Sequence, residues 1–278
     1  MPIKNHNSGQ ILLITLLVLS IAATIVLSLI GRSTTDVAIS NEIAQSSQAF
    51  SAAEAGIEEA LKTGVSSGVQ TLAGGTTYQT NVYTIGGASG IYQYPGTVSV
   101  DDEATIWLIN HNADGSLNFT PTYTQPSIDI CWSSGATIPA IFVNVFYKNS
   151  GGSYNTASIA YDPNGARRST DNFAAPGATT GGCGDGTTVY KATVTFAGFS
   201  PAINPAADTL IAIRIQPVYA TAALAVNSAQ ILPLQGNRID STGTAGNGVT
   251  RKVVVFQEYR EPSPIFDNVI YSLSNFAH

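Results

Sequence analysis

NSGQILLITLLVLSIAATIVLSLIGRS (Asn7–Ser33) decides how the rest of this chain is read. A Gly stands directly before an unbroken apolar run, and the first charge after that run is Arg32. From Ile11 to Ile30 the run is about 20 residues, which as a helix reaches about 30 Å and matches the hydrocarbon core of a bilayer. A secretory signal has a shorter apolar region, about 7–15 residues, closed by a small-x-small cleavage site. Here the run continues past Ala22–Ala23 into Leu29-Ile30-Gly31-Arg32, a poor site for that protease. Lys4 and the amino terminus put positive charge ahead of the run and favour an N-terminus on the cytoplasmic side.

The helical pattern continues beyond the apolar run. Between Ser33 and Lys62 there is no Pro and only one Gly, Gly56. Small or apolar residues recur at Ile39, Ile43, Ser46, Phe50, Ala53, Ile57 and Ala60, a single stripe along one face. Glu42, Gln45, Gln48 and Glu59 fall off the stripe, and Gly64 offers a stop. Counted from Gln10, one helix of about 53 residues is expected, ~80 Å long. Its first half is apolar on nearly all sides and its second half is amphipathic.

A short polar leader ending in Gly9, an apolar segment beginning at once, and AFSAAEAGIEEAL (Ala49–Leu61) at the end of one long helix resemble the bacterial type IV pilins, most of all the PilX-type minor pilins. The resemblance implies a class III leader, residues 1–9, removed on the cytoplasmic side by prepilin peptidase. The cut would fall between Gly9 and Gln10. The apolar segment 11–30 would be kept, anchoring the precursor in the inner membrane with its head outside the cytoplasm. It would then pack against other pilin subunits in a filament. Most major pilins carry Glu at the fifth mature position, where it neutralises a neighbour's amino terminus; this chain has Ile14 there. An unpaired ammonium in an apolar bundle is costly. A minor subunit at or near a tip is therefore expected; the alternatives are a K-type minor pseudopilin of type II secretion, a related subunit that lacks this Glu too, and a plain single-pass anchored β ectodomain that forms no filament. Ser20, Thr24 and Ser28 stand four apart. That stripe suits close helix approach in lipid or bonding back to the helix's own carbonyls.

Beyond Gly64 the texture changes to short runs rich in β-branched and aromatic residues, broken by Gly-, Ser- and Thr-rich turns: 78–85, 104–109, 127–132, 140–148, 188–196, 209–219 and 250–258. The expected class is α+β: a long N-terminal helix (10–64), then a β-rich head (65–278), an antiparallel sheet with an inserted β-sandwich. Strand count and spacing place an Ig-like sandwich at about 120–225. The closing stretch NRIDSTGTAGNGVTRKVVVFQEY (237–259) resembles the penultimate hairpin of PilX-type pilins.

Cys131 and Cys183 both lie in the part expected outside the cytoplasm, where a bridge is the default. Closing that loop stabilises by ~4 kcal/mol in the chain-entropy model. Charged residues make up 11% of the chain and its net charge is −6, which argues against nucleic acid as a main partner. The pairs Arg167–Arg168 and Arg251–Lys252 are too few for a phosphate-binding face. No Ser–His–Asp set is suggested by His6, His111 and His278, and no His-Glu-x-x-His or phosphate-loop pattern occurs. An enzyme is not expected, nor a cofactor. NHNADGSLN (110–118) places Asn110, Asn112 and Asp114 at alternate positions before Gly115, like the start of a calcium loop. The twelfth position is Pro121 rather than Glu, and an Asp-Gly hairpin turn accounts for the same residues. Tyr92, Tyr94, Tyr154 and Tyr161 are candidates for an adhesive surface, its ligand open, or for sheet packing.

Overall fold

A computed structural model describes residues 8–87, 90–100, 102–112 and 114–261. Leader residues 1–7, Asp101 and His278 lie outside the described residues.

Helix α1 (Ser8–Thr63) runs without interruption for 56 residues, or about 84 Å. It ends where the sequence placed its stop. Gly64 takes a left-handed φ of 71° and its N–H returns to the Ala60 carbonyl at 2.8 Å, so the last turn is closed by a residue without a Cβ to strain.

The remainder is β structure. In chain order the strands are β1 (Ser67–Thr71), β2 (Thr77–Gly86), β3 (Gly90–Val98), β4 (Ala104–Trp107), β5 (Ile109–His111), β6 (Leu117–Thr122), β7 (Ser127–Trp132), β8 (Ala140–Lys148) and β9 (Tyr154–Tyr161). After the single turn α2 (Arg168–Asp171) come β10 (Tyr190–Thr195), β11 (Thr209–Val218), β12 (Ala222–Ser228), β13 (Leu234–Thr244) and β14 (Thr250–Glu258). They form sheets in the orders β1-β2-β13-β14, β10-β7-β12-β3 and β4-β11-β8-β9, with β5-β6 as a small hairpin. The chain is thus one long apolar helix followed by an antiparallel β-rich head.

Two compact units divide it. One comprises the described residues to Val82 together with Ile239–Val255, and the other Tyr83–Arg238 with the described residues from Phe256 onward. In the first, Ile57 and Ala60 of α1 bury with Ile239 of β13, and Val253 and Val255 of β14 pack against them. In the second, alternate residues of β7 (Ile128, Ile130, Trp132) and of β8 (Ile141, Val143, Val145) enter one shared hydrophobic cluster with Ile213 and Leu224. Period-two alternation explains which residues enter it. Each fully buried aliphatic side chain contributes roughly 1.5–3 kcal/mol. Strand β8, whose Phe142 and Phe146 break the alternation, is an interior strand between β11 and β9. A bond between Cys131 of β7 and Cys183 staples the loop before β10 to this unit.

Candidate functional site

The first candidate surface is α1 itself. Every residue from Ile11 to Ala44 is exposed, and among the described residues this is one helix long and apolar enough to cross a membrane. Gly9 and Gln10, the expected cleavage pair, lie in its opening turns. Ser20 donates to the Leu17 carbonyl and Thr24 to that of Ile21, each at 2.8 Å. Those two hydroxyls are thus occupied by their own helix, and Ser28 keeps only its place in the stripe.

The second is the face where α1 meets β13 and β2 within the first unit. Ala49, Ala52, Ala53, Gly56, Ile57 and Ala60 are buried there. Small residues are needed because the sheet comes very close. A Cβ on Gly243 of β13 would sit 2.5 Å from the Ala53 nitrogen and closer still to the Ala49 carbonyl oxygen. A Cβ on Gly56 would sit 2.8 Å from both Thr80 and Tyr78, and closer to the Ser241 hydroxyl. Polar contacts flank this dry strip. The Tyr78 hydroxyl donates to Glu59 at 2.7 Å, which raises the phenol pKa, and Arg251 donates to Ser46 at 2.8 Å. Asn247 reaches Gln45. The stripe read from the sequence is therefore divided: Ala53, Ile57 and Ala60 are covered, while Phe50 remains 46% exposed and Ile39 and Ile43 are bare.

The other expected residues are scattered. Asn110 lies in β5 opposite Asn118. Asn112 donates to Ser116 Oγ at 2.9 Å, and Asp114 accepts from the Ser116 N–H at 2.9 Å and its hydroxyl at 2.6 Å. Those hydrogen bonds lower the Asp114 pKa. They are the bonds of a tight hairpin turn between β5 and β6, with Gly115 at φ 80°. Among the described residues no group of three His, Cys, Asp or Glu side chains is placed to hold a metal. Tyr161 is buried and Tyr92 and Tyr94 pack against the main cluster, whereas Tyr154 is 66% exposed. Arg167 is held by Asp162 at 2.7 Å, a fully buried carboxylate, and lies 4.2 Å over the Tyr219 ring. Lys252 pairs with Asp240 at 2.7 Å.

Sequence reading missed the outer face of the β4-β11-β8-β9 sheet. Trp107, Ile211 and Phe146 form a second apolar cluster there with Leu117 and Tyr259. His111 stacks on Tyr259 with centroids 3.8 Å apart and meets Trp107 edge-on at 4.5 Å. Both of its ring nitrogens are shut from solvent without hydrogen bonds, and burial lowers its pKa. Gln235 of β13 pins this corner by accepting from the Trp107 N–H at 2.7 Å and donating to the Trp107 carbonyl at 3.0 Å. The only signal in the sequence was the excess of apolar residues in 104–109 and 140–148. No family model, curated protein or solved structure matches the chain.

Proposed function

We propose that this chain is a non-catalytic minor pilin, cut after Gly9 by prepilin peptidase and held in the inner membrane by residues 11–30. It is then built into a type IV pilus-like surface filament through the same helix. The observation that carries the reading is the close packing of its two most pilin-like segments. The Ala49–Leu61 stretch lies against strand β13, with Gly243 on the helix backbone and Gly56 on the sheet. Two segments separated by some 180 residues have matching surfaces (small residues where backbones approach), and α1 from Ile11 to Ala44 is exposed along its whole length. Such a helix is stable where lipid or other subunits cover it.

The two sheets that share one core run from Gly90 to Ser228, between β2 and β13. We read them as a β-sandwich inserted into the pilin head, available to present a surface outside the cell. Ile14 in place of Glu supports a position at or near a tip. It suits the K-type pseudopilin of a secretion system equally well.

Filament incorporation decides between them. The wild-type chain is expected in the fraction sheared from cells. Phe50→Asp changes an exposed side chain, so the head should fold normally while the chain stays in the membrane. Absence of the wild-type chain from sheared filaments would contradict the pilus reading.

A further inference from the structure

The apolar outer face of the β4-β11-β8-β9 sheet is open on one side as a cleft of about 440 Å³, lined by Trp107, Leu117, Phe146, Tyr154 and Ile211, with Arg214 and Arg260 among its walls. That volume lies within the usual range for small-molecule sites, roughly 300–1,000 Å³. Period-two alternation would make this face polar, since the residues between these are the ones that fill the main core. It is apolar where the cleft is and polar in one row beside it: Thr105, Arg214, Asn144 and Ser158 are opposite one another across all four strands.

The polar row already holds a carboxylate. Arg214 is 3% exposed, its guanidinium stacked 5.2 Å from the centre of the Phe146 ring, and its Nε lies 3.4 Å from the inward carboxylate of Glu103. A second carboxylate, that of Glu261, lies 4.0 Å from the same nitrogen and accepts from the Thr105 hydroxyl. The two acids differ in one respect: Glu103 is 7% exposed at its side chain and Glu261 is 35% exposed. Glu261 therefore sits where an exchangeable anion would sit. At the rim Arg260 is exposed, and Lys148 lies 5.7 Å over the Tyr154 ring. An incoming carboxylate that replaced Glu261 would meet Thr105, Arg214 and Arg260 without adding net charge to the pocket, and its apolar body would rest on Trp107, Phe146 and Ile211. An amine that displaced Glu261 in the same way would leave its own positive charge facing Arg214 and Arg260. A neutral body would gain only the apolar walls.

We infer that this cleft binds a small free monocarboxylic acid with an aromatic or aliphatic body, the acid taking the place of the Glu261 side chain. The inference does not depend on whether the chain is assembled into a filament. The test uses the full chain in lipid nanodiscs and the fluorescence of Trp107, the other tryptophan, Trp132, being buried in the main core. The probes are 3-phenylpropionate, 3-phenylpropanol and 3-phenylpropylamine. The acid should give a saturable change and the alcohol should bind about tenfold more weakly or worse, as loss of a charge-assisted hydrogen bond requires. The amine should not bind. Glu261→Gln removes the competing anion and should tighten acid binding severalfold, while Arg260→Gln should weaken it. Both substitutions are at exposed positions, so an unchanged circular dichroism spectrum is expected. Equal binding of acid and alcohol, or no effect of Glu261→Gln on acid binding, would overturn the inference. So would no saturable response to the acid, the outcome if the cleft is covered by a second copy or another segment.

Discussion

Gly243 gives the sharpest test of how the head grips the helix. Replacing it with Ala adds one methyl, and that methyl would lie 2.5 Å from the Ala53 nitrogen, closer to the Ala49 carbonyl oxygen and 3.1 Å from the Ala49 carbonyl carbon. All three atoms are helix backbone, so no rotamer change relieves the overlap; strand or helix must move. Overpacking typically costs about 1–3 kcal/mol, and a clash with backbone belongs at the upper end, ~2–3 kcal/mol. At 1.4 kcal/mol per decade, opening of the helix–strand seam becomes about 30- to 150-fold more frequent. Hydrogen exchange of the full chain in nanodiscs, followed by mass spectrometry, should show that acceleration at the amides of 49–60 and 239–244. Gly56→Ala is the comparison. Its methyl meets side chains of Ser241, Thr80 and Tyr78, which can yield, and Ala gains about 1 kcal/mol over Gly within a helix, so its net effect should be distinctly smaller. Gly68→Ala, in open space in β1, should be silent. Exchange in Gly243→Ala within twofold of wild type, or a ranking with Gly56→Ala worse, would refute the packing argument.

Two other outcomes follow from the head. Replacing Cys131 and Cys183 together with Ser opens a loop spanning 52 residues and should cost ~4 kcal/mol, read as a fall in the denaturant midpoint of Trp132 fluorescence; a loss below about 1 kcal/mol would show that the staple does not constrain the unfolded chain as that model requires. His111 is held neutral because burial lowers its pKa from the ordinary 6.5. The unfolded chain therefore takes up a proton first, and the stability this residue adds is complete above about pH 6.5 and is lost as the pH falls below that value. Denaturation at pH 7.5 and 5.5 should show a larger acid loss for wild type than for His111→Phe, and equal losses would exclude His111 as the source.

Much of the fold was legible because its periodicities are strong. The runs read at 127–132, 140–148 and 250–258 coincide with β7, β8 and β14, and that at 209–219 with β11 to within a residue. Strands β9 (YNTASIAY) and β12 (AALAVNS) escaped because small residues hide alternation, although β12 is an interior strand whose Ala222, Leu224 and Val226 are buried. The helix shows the deeper limit. Its stripe marked one face from Ile39 to Ala60, but periodicity says which face is apolar, not what covers it. In the structure Gln45 and Ser46 are only partly covered and full burial begins at Ala49, where the face turns toward Ala52 and Gly56 because Gly243 and Ser241 approach there. Phe50, the largest residue of the stripe, remains 46% exposed. The carboxylate cleft was invisible for a similar reason: Thr105, Arg214 and Glu261 are far apart in sequence and meet only through strand register and the chain after β14.

The central claim is that the apolar run is retained and the cut precedes it. Mass spectrometry of the N-terminal peptide, from membranes and from sheared material, measures this directly. A mature chain beginning at Gln10 is the result expected. A chain that keeps residues 1–9, or one cut after the apolar run, would contradict the account.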